Sequence, residues 1–277
     1  FTLAKAGKIM WLAGAQTLVI GTVNGEYVAN SDAGVISPSD IDVNQQSAYG
    51  SRYVQSRMVG NITLYASPDG RKLRDVGYRW EENNWLSRDI TFVSEHISAD
   101  NLIAGVTWAQ NPNNLVWMVT DQGNMLSCTY ERNYDVIGWH RHTTDGQFQA
   151  SASVDVNGTS EVVVAVKRQD GIINFEWYNQ EIPGLDSYTR FLKVPETDTI
   201  DGLEYLEGRT VTVLTDGAVG RDYVVEGGQI VLDNPAEEVY VGLRFVSNML
   251  TLPLDYTPET PGTSQHYMKR WNKVYIR

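Results

Sequence analysis

The chain has 277 residues, 42% of them hydrophobic, with 8 Trp and 15 Tyr, which is enough to build a sizeable core and too apolar for a disordered segment. Its 22 Lys and Arg against 34 Asp and Glu leave a formal charge of -12, which argues against a broad basic face gripping nucleic-acid phosphates. Cys128 is the single cysteine, so neither an intrachain disulfide nor a cysteine metal cluster can form, and no apolar run approaches the ~20 residues needed to cross a bilayer as a helix.

The length predicts one large β domain or two domains of unequal size. Phe1-Thr2-Leu3 reads neither as an initiator methionine nor as a signal peptide, and a strand-like run from Lys273 ends at Arg277, so the sequence reads as a piece of a longer chain. Short apolar or alternating runs predict strands at residues 9–12, 17–22, 26–29, 61–66, 116–120, 125–130, 162–167 and 172–178. Four turns punctuate them: Asn24-Gly25, Pro68-Asp69-Gly70, Asp121-Gln122-Gly123 and Gln169-Asp170-Gly171. In each, glycine is expected to supply the positive φ of a hairpin. Those glycines recur at roughly 45 to 53 residues, the period of propeller blades. A β-sandwich is the alternative, because it too produces frequent hairpins.

One helix is expected at residues 90–97, with Ile90, Val93 and Ile97 on a shared face and Ser87 or Asp89 as its cap. Around Pro195 a run of acids and threonines interrupts the strand pattern, which places a domain boundary near residue 197. Beyond it, runs at 210–214, 223–225, 229–232 and 239–243 alternate around Asp216-Gly217 and Gly227-Gly228. They suggest a barrel or sandwich of about five strands. Residues 257–277 read as an extended tail that returns as a strand. The expected fold is thus mainly β: a propeller-like antiparallel β domain over 1–197, a small β-barrel or sandwich module over 198–256, then the tail.

Trp139, His140, Arg141 and His142 raise the question of chemistry. On a strand His140 and His142 share a face and could bind a metal or act as acid and base, but only His96 and His266 remain as further histidines. Aromatic and polar residues at a blade edge are the favoured reading, with Arg141 open to a carboxylate partner. "DIDVN" at 40–44 begins like a calcium loop, yet Gln45 stands where the glycine belongs and Ser51 where the closing glutamate belongs. Asp69, Asp121, Asp145, Asp170 and Glu176 offer carboxylates for a propeller glycosidase, but most sit beside glycine in turns, and no sialidase-type Ser-x-Asp-x-Gly-x-x-Trp box occurs. Gly-x-Ser-x-Gly, His-Glu-x-x-His and phosphate-loop patterns are missing too. Asn61-Ile62-Thr63 and Asn157-Gly158-Thr159 match the glycosylation sequon, a pattern that chance supplies often. No catalytic, cofactor-binding or metal-binding residue is assigned, and no cofactor is expected.

Several ordered stretches carry a family resemblance: "LVIGTVNGEYVAN", "SPSDIDVNQQSAYGSR", "NNWLSRDITFVSEHI", "AQNPNNLVWMVTDQGNMLSCTYERNYDVIGWHRH" and "LEYLEGRTVTVLTDGAV". Over most of residues 9 to 255 the chain resembles the tail nozzle, or tail tubular protein B, class of short-tailed bacteriophages and prophages. The resemblance implies a structural subunit of the virion tail. Copies would form a ring, usually of six, below the portal adaptor. They would contact the adaptor and tail fibre or spike proteins and pass DNA through the lumen without specific binding. Members of that class are usually longer, and no catalytic residues carry over. An acidic lumen suits a conduit, because it does not hold the duplex. Two other readings stand beside it: a carbohydrate-binding or glycan-cleaving propeller at the tail tip, suggested by the abundant Trp and Tyr, and a host propeller that scaffolds protein partners.

Overall fold

The computed structural model describes residues 7–14, 17–179 and 184–245, together with Met268 and Lys273. The fold is mainly β, built from five antiparallel sheets. The first contains β1 (Ile9–Gly14), β2 (Leu18–Thr22), β3 (Gly25–Asn30) and β4 (Asp42–Ser47), and the second β5 (Arg57–Val59), β6 (Ile62–Ala66), β7 (Leu73–Arg79) and β8 (Asn84–Asp89). The third contains β9 (Ile103–Ala109), β10 (Leu115–Thr120), β11 (Met125–Glu131) and β12 (Val136–His142). The fourth has three strands, β13 (Gln147–Val156), β14 (Thr159–Lys167) and β15 (Ile173–Tyr178). In all four, strands neighbour one another in chain order, the meander of a propeller blade.

Period-two alternation explains how the sheets stack. On β10, Val116 and Met118 join a core with Ile62, Leu64 and Ala66 of the second sheet, while Trp117 and Val119 point the other way into a core with Phe148, Val162 and Val164 of the fourth. On β6 the opposite side belongs to Tyr65, which packs with Trp11, Val19 and Val28 of the first sheet. The inner strands of the second and third sheets are therefore buried on both faces, which is why β6 and β10 read as nearly continuous apolar runs.

Polar ties cross the same interfaces. The Tyr130 hydroxyl donates to buried Asp75 at 2.8 Å, and the Thr107 hydroxyl to the Ser151 carbonyl at 2.8 Å. Glu26, buried between the first two sheets, accepts the Ser47 hydroxyl and, at 2.8 Å, that of Ser51; burial pushes its carboxyl pKa upward.

The recurring glycines mark the same hairpin, second strand to third, in each of the four sheets. Gly70, Gly123 and Gly171 have positive φ as expected (73°, 79° and 84°). Gly25 does not; a Cβ there would lie 2.4 Å from the Ser47 carbonyl oxygen, so close approach of β4 makes glycine necessary. Two of these turns also hook onto the next sheet: the Gly70 carbonyl accepts from Ile103 N–H at 2.8 Å and the Gly123 carbonyl from Phe148 N–H at 2.9 Å. Asn157-Gly158, read in sequence only as a sequon, is the β13–β14 turn, both residues at positive φ.

Three expectations are corrected. Residues 90–97 are not one helix: Ile90 extends the second sheet, its N–H donating to the Leu73 carbonyl at 3.0 Å, and a 3-10 turn (Phe92–Ser94) and short α1 (Glu95–Ser98) come after it. The Asp89 carboxylate accepts the Thr91 N–H and hydroxyl at 3.0 and 2.6 Å and turns the chain there, leaving Val93 75% exposed.

The boundary near 197 falls inside β16 (Leu185–Asp201). Its register against β19 (Gln229–Arg244) shifts around residues 192–199, so the Pro195 interruption is a bulge within a strand. The C-terminal sheet thus begins at Leu185. It has four strands, not about five, in the order β16, β19, β17 (Thr210–Thr215), β18 (Ala218–Val224), because the runs at 229–232 and 239–243 are one long strand. This sheet curls over a core of its own that includes Ile200, Val211, Val213 and Val239, with Asp216-Gly217 forming the β17–β18 turn at φ 46° and 82°. The expected tail at 257–277 lies outside the described residues apart from Met268 and Lys273.

This packing has two measurable outcomes. Replacing Gly25 with Ala should destabilise the fold by about 1–3 kcal/mol in urea titration, since the β4 backbone must shift. The Cys128 thiol is completely buried and its pKa is pushed up to about 12 by burial, so a thiol reagent should label it only as the chain unfolds. Labelling as fast as that of an exposed thiol would contradict the packing described for β11.

Candidate functional site

An open groove of about 1590 Å³ runs between the outer strands of the third and fourth sheets and the start of β16. Its position reflects strand count. The third sheet ends on its fourth strand, β12, whereas the fourth sheet stops at β15 and the chain leaves for the C-terminal sheet, so no strand among the described residues fills the space beside β15.

Three rings from three strands meet in it. Trp117 lies 4.9 Å from His142 and 4.6 Å from Tyr178, and His142 lies 5.4 Å from Tyr178, centroid to centroid. Nε2 of His142 is hydrogen-bonded to the Ser127 hydroxyl at 2.7 Å. Burial, then the nearby His140, lowers the His142 pKa to about 4, so the ring is neutral at pH 7. The indole N–H of Trp117 is buried and has no acceptor among the described residues.

Below the rings lies an ionic cluster. Arg168, whose side chain is 7% exposed, holds Glu176 through two nitrogens and donates to Asp186 at 3.2 Å, to Thr144 Oγ1 at 2.7 Å and to the Asp145 carbonyl at 2.9 Å. Asp186 also accepts the Thr144 hydroxyl and the Asp145 N–H at 2.8 Å, while the Asp145 carboxylate pairs with Arg209, the residue before β17. Glu176 and Asp186 spend their oxygens on these partners. The cluster is a strut joining β14, β15, β16 and the β12–β13 turn, and it places no carboxylate free for proton transfer.

The structure separates the predicted residues of β12. His140, Arg141 and His142 line the groove, His140 and Arg141 exposed. Trp139 turns to the opposite core, its Nε1–H donating to the Ile90 carbonyl at 3.0 Å. Arg141 has no ion pair among the described residues.

Of the other carboxylates, Asp69 and Asp170 bind backbone N–H groups two residues on in their turns. Asp121 accepts the Leu102 N–H at 2.9 Å, so all three serve chain geometry. In "DIDVN", Asp40 accepts the Ser31 hydroxyl and the N–H groups of Asp32 and Ala33, fixing a loop. Among the described residues no group of three or more His, Cys, Asp or Glu could hold a metal. Trp117, Tyr178, Ser127, Arg168 and Asp186 were not singled out by sequence. They come from separate strands, and no local pattern marks their convergence.

No protein-family model matches the sequence, and no curated protein matches it. Among solved structures, that of apo AztD from Citrobacter koseri is similar at a TM-score of 0.35 with 11% identity, over 89% of this chain and 77% of that one. A likeness at this level bears on neither site nor activity.

The pKa of His142 carries a stability consequence. Its folded value of about 4 lies below the ordinary 6.5, so the unfolded chain takes up the proton first. The contribution is whole above pH 6.5 and is lost as pH falls towards 4, with an upper bound of about 3 kcal/mol. Urea titrations at both ends of that window should show the loss in the native chain, and His142→Phe should reduce it. An unchanged slope in the variant would place the loss on other groups.

Proposed function

We propose that this chain is a structural subunit of the virion tail of a short-tailed phage, of the nozzle class, acting by assembly into a ring with an outlet for DNA. The observation that carries the reading is the outer face of the fourth sheet, which no strand among the described residues covers. Ile173, Phe175 and Trp177 alternate along β15 and are 50%, 79% and 58% exposed, although the equivalent faces between earlier sheets are buried. Apolar surface of this kind marks protein association. The net charge of -12 also suits a conduit that must release its cargo. The ring of six, the adaptor and fibre contacts and the tail location belong to this same reading. A second reading, a glycan-binding or glycan-cleaving propeller at the tail tip, is favoured by the exposed rings of Phe175 and Trp177 at the groove.

Antibody raised against the chain and imaged on intact particles of the source phage or prophage tests the proposal. Label confined to the distal tail is expected. Particles left bare, while a control shows the epitope accessible, would remove the nozzle reading and leave the glycan reading to a glycan array.

A further inference from the structure

Among the described residues the fourth sheet ends on a strand unlike the other edges. In the other three meanders the fourth strand carries polar or charged residues suited to an outer edge: Asp42-Val43-Asn44-Gln45-Gln46-Ser47 in β4, Ser87-Arg88-Asp89 in β8, and His140-Arg141-His142 in β12. β15 reads Ile173-Asn174-Phe175-Glu176-Trp177-Tyr178, with no proline, no lysine and no bulge in its register against β14. Among the described residues it pairs on one side only. Edges left this way are open templates for another strand, and proteins that do not use them guard them with charge, proline or bulges. The edge is also recessed. His140 and His142 on one side and Tyr188 and Arg190 on the other line the same groove as β15.

We infer that this groove is a β-augmentation site, in which an extended segment of a partner polypeptide docks beside β15 as the missing fourth strand. Six residues of β15 offer about 20 Å of backbone for pairing. Main-chain hydrogen bonds would supply affinity, and the alternating positions specificity. On one face the segment's side chains meet the half-buried His142 and Tyr178 rings, which rest on the buried Trp117. On the other face they continue the apolar row of Phe175 and Trp177. At the rim Arg141 is exposed and has no ion pair among the described residues, while Glu176 and Asp186 are held by Arg168. The charge left for the partner is therefore positive. The partner segment is accordingly extended, aromatic or β-branched at alternate positions, and carries a carboxylate that reaches Arg141. The inference rests on the edge and the groove, so it stands or falls apart from the tail assignment.

The test pans a random peptide library on the whole 277-residue chain and measures enriched peptides, made synthetically, by fluorescence anisotropy and amide hydrogen exchange. The expected peptides alternate apolar and polar residues, include Asp or Glu, and slow exchange in residues 173–178. Arg141→Glu should weaken them by about tenfold or more. Phe175→Lys, which guards an exposed edge position, should weaken them while leaving the melting temperature near that of the parent chain. Several results would overturn the inference: no peptide bound even at millimolar concentration; binding that protects another surface; glycans rather than peptides held in the groove; or β15 amides protected in the free chain. Sedimentation showing self-association, with exchange protection that reports strand pairing at the β15 edge, would also overturn it, by identifying a second copy as the occupant.

Discussion

The architecture depends on one constraint, that a sheet lying between two others must bury both of its faces. The third sheet meets it by alternation within single strands. Met118 and Trp117 are adjacent in sequence, yet one packs towards Leu64 and the other towards Phe148. Each interior sheet is therefore committed to two neighbours, and the stack must end somewhere. It ends at the fourth sheet, where the same alternation continues along β15 and finds no cover among the described residues. The open face results from that rule, and the open edge from a sheet of three strands among the described residues.

Attachment of the C-terminal sheet obeys a different principle. It has its own apolar core, so what joins it to the fourth sheet is largely polar: Arg168 binding Glu176 and Asp186, and Arg209 binding Asp145. A buried guanidinium is costly unless every donor is used, and Arg168 uses its Nε and both terminal nitrogens. Such a joint is selective in geometry, because few arrangements satisfy the fork at once. It also sets the wall of the groove, since Asp186 lies at the start of β16.

The sequence revealed the repeat because hairpin glycines answer to local backbone geometry. Gly70, Gly123 and Gly171 announce themselves by neighbours alone. Gly25 is read from its turn in the same way, but its necessity comes from Ser47, twenty-two residues away. The boundary at 197 was misplaced for a related reason: Pro195 and its acidic neighbours resemble a linker, and only the pairing with β19 reveals a bulged strand. Residues 90–97 have helical spacing, but the Asp89 side chain captures the Thr91 N–H and turns the chain. The groove was legible only in part. Alternation on a strand already separates Trp139 from His142, three residues on, whereas Trp117 and Tyr178 reach the histidine through sheet packing that no local pattern encodes.

The hooks from hairpin turn to next sheet have a consequence for synthesis. Gly70 holds Ile103 and Gly123 holds Phe148, so the second and third sheets each present a backbone acceptor to a strand made only about 25 to 33 residues later. Within the first four sheets, pairing is between strands adjacent in the chain. Chain-order pairing of this kind lets each new meander land on one made just before it as the chain is synthesised.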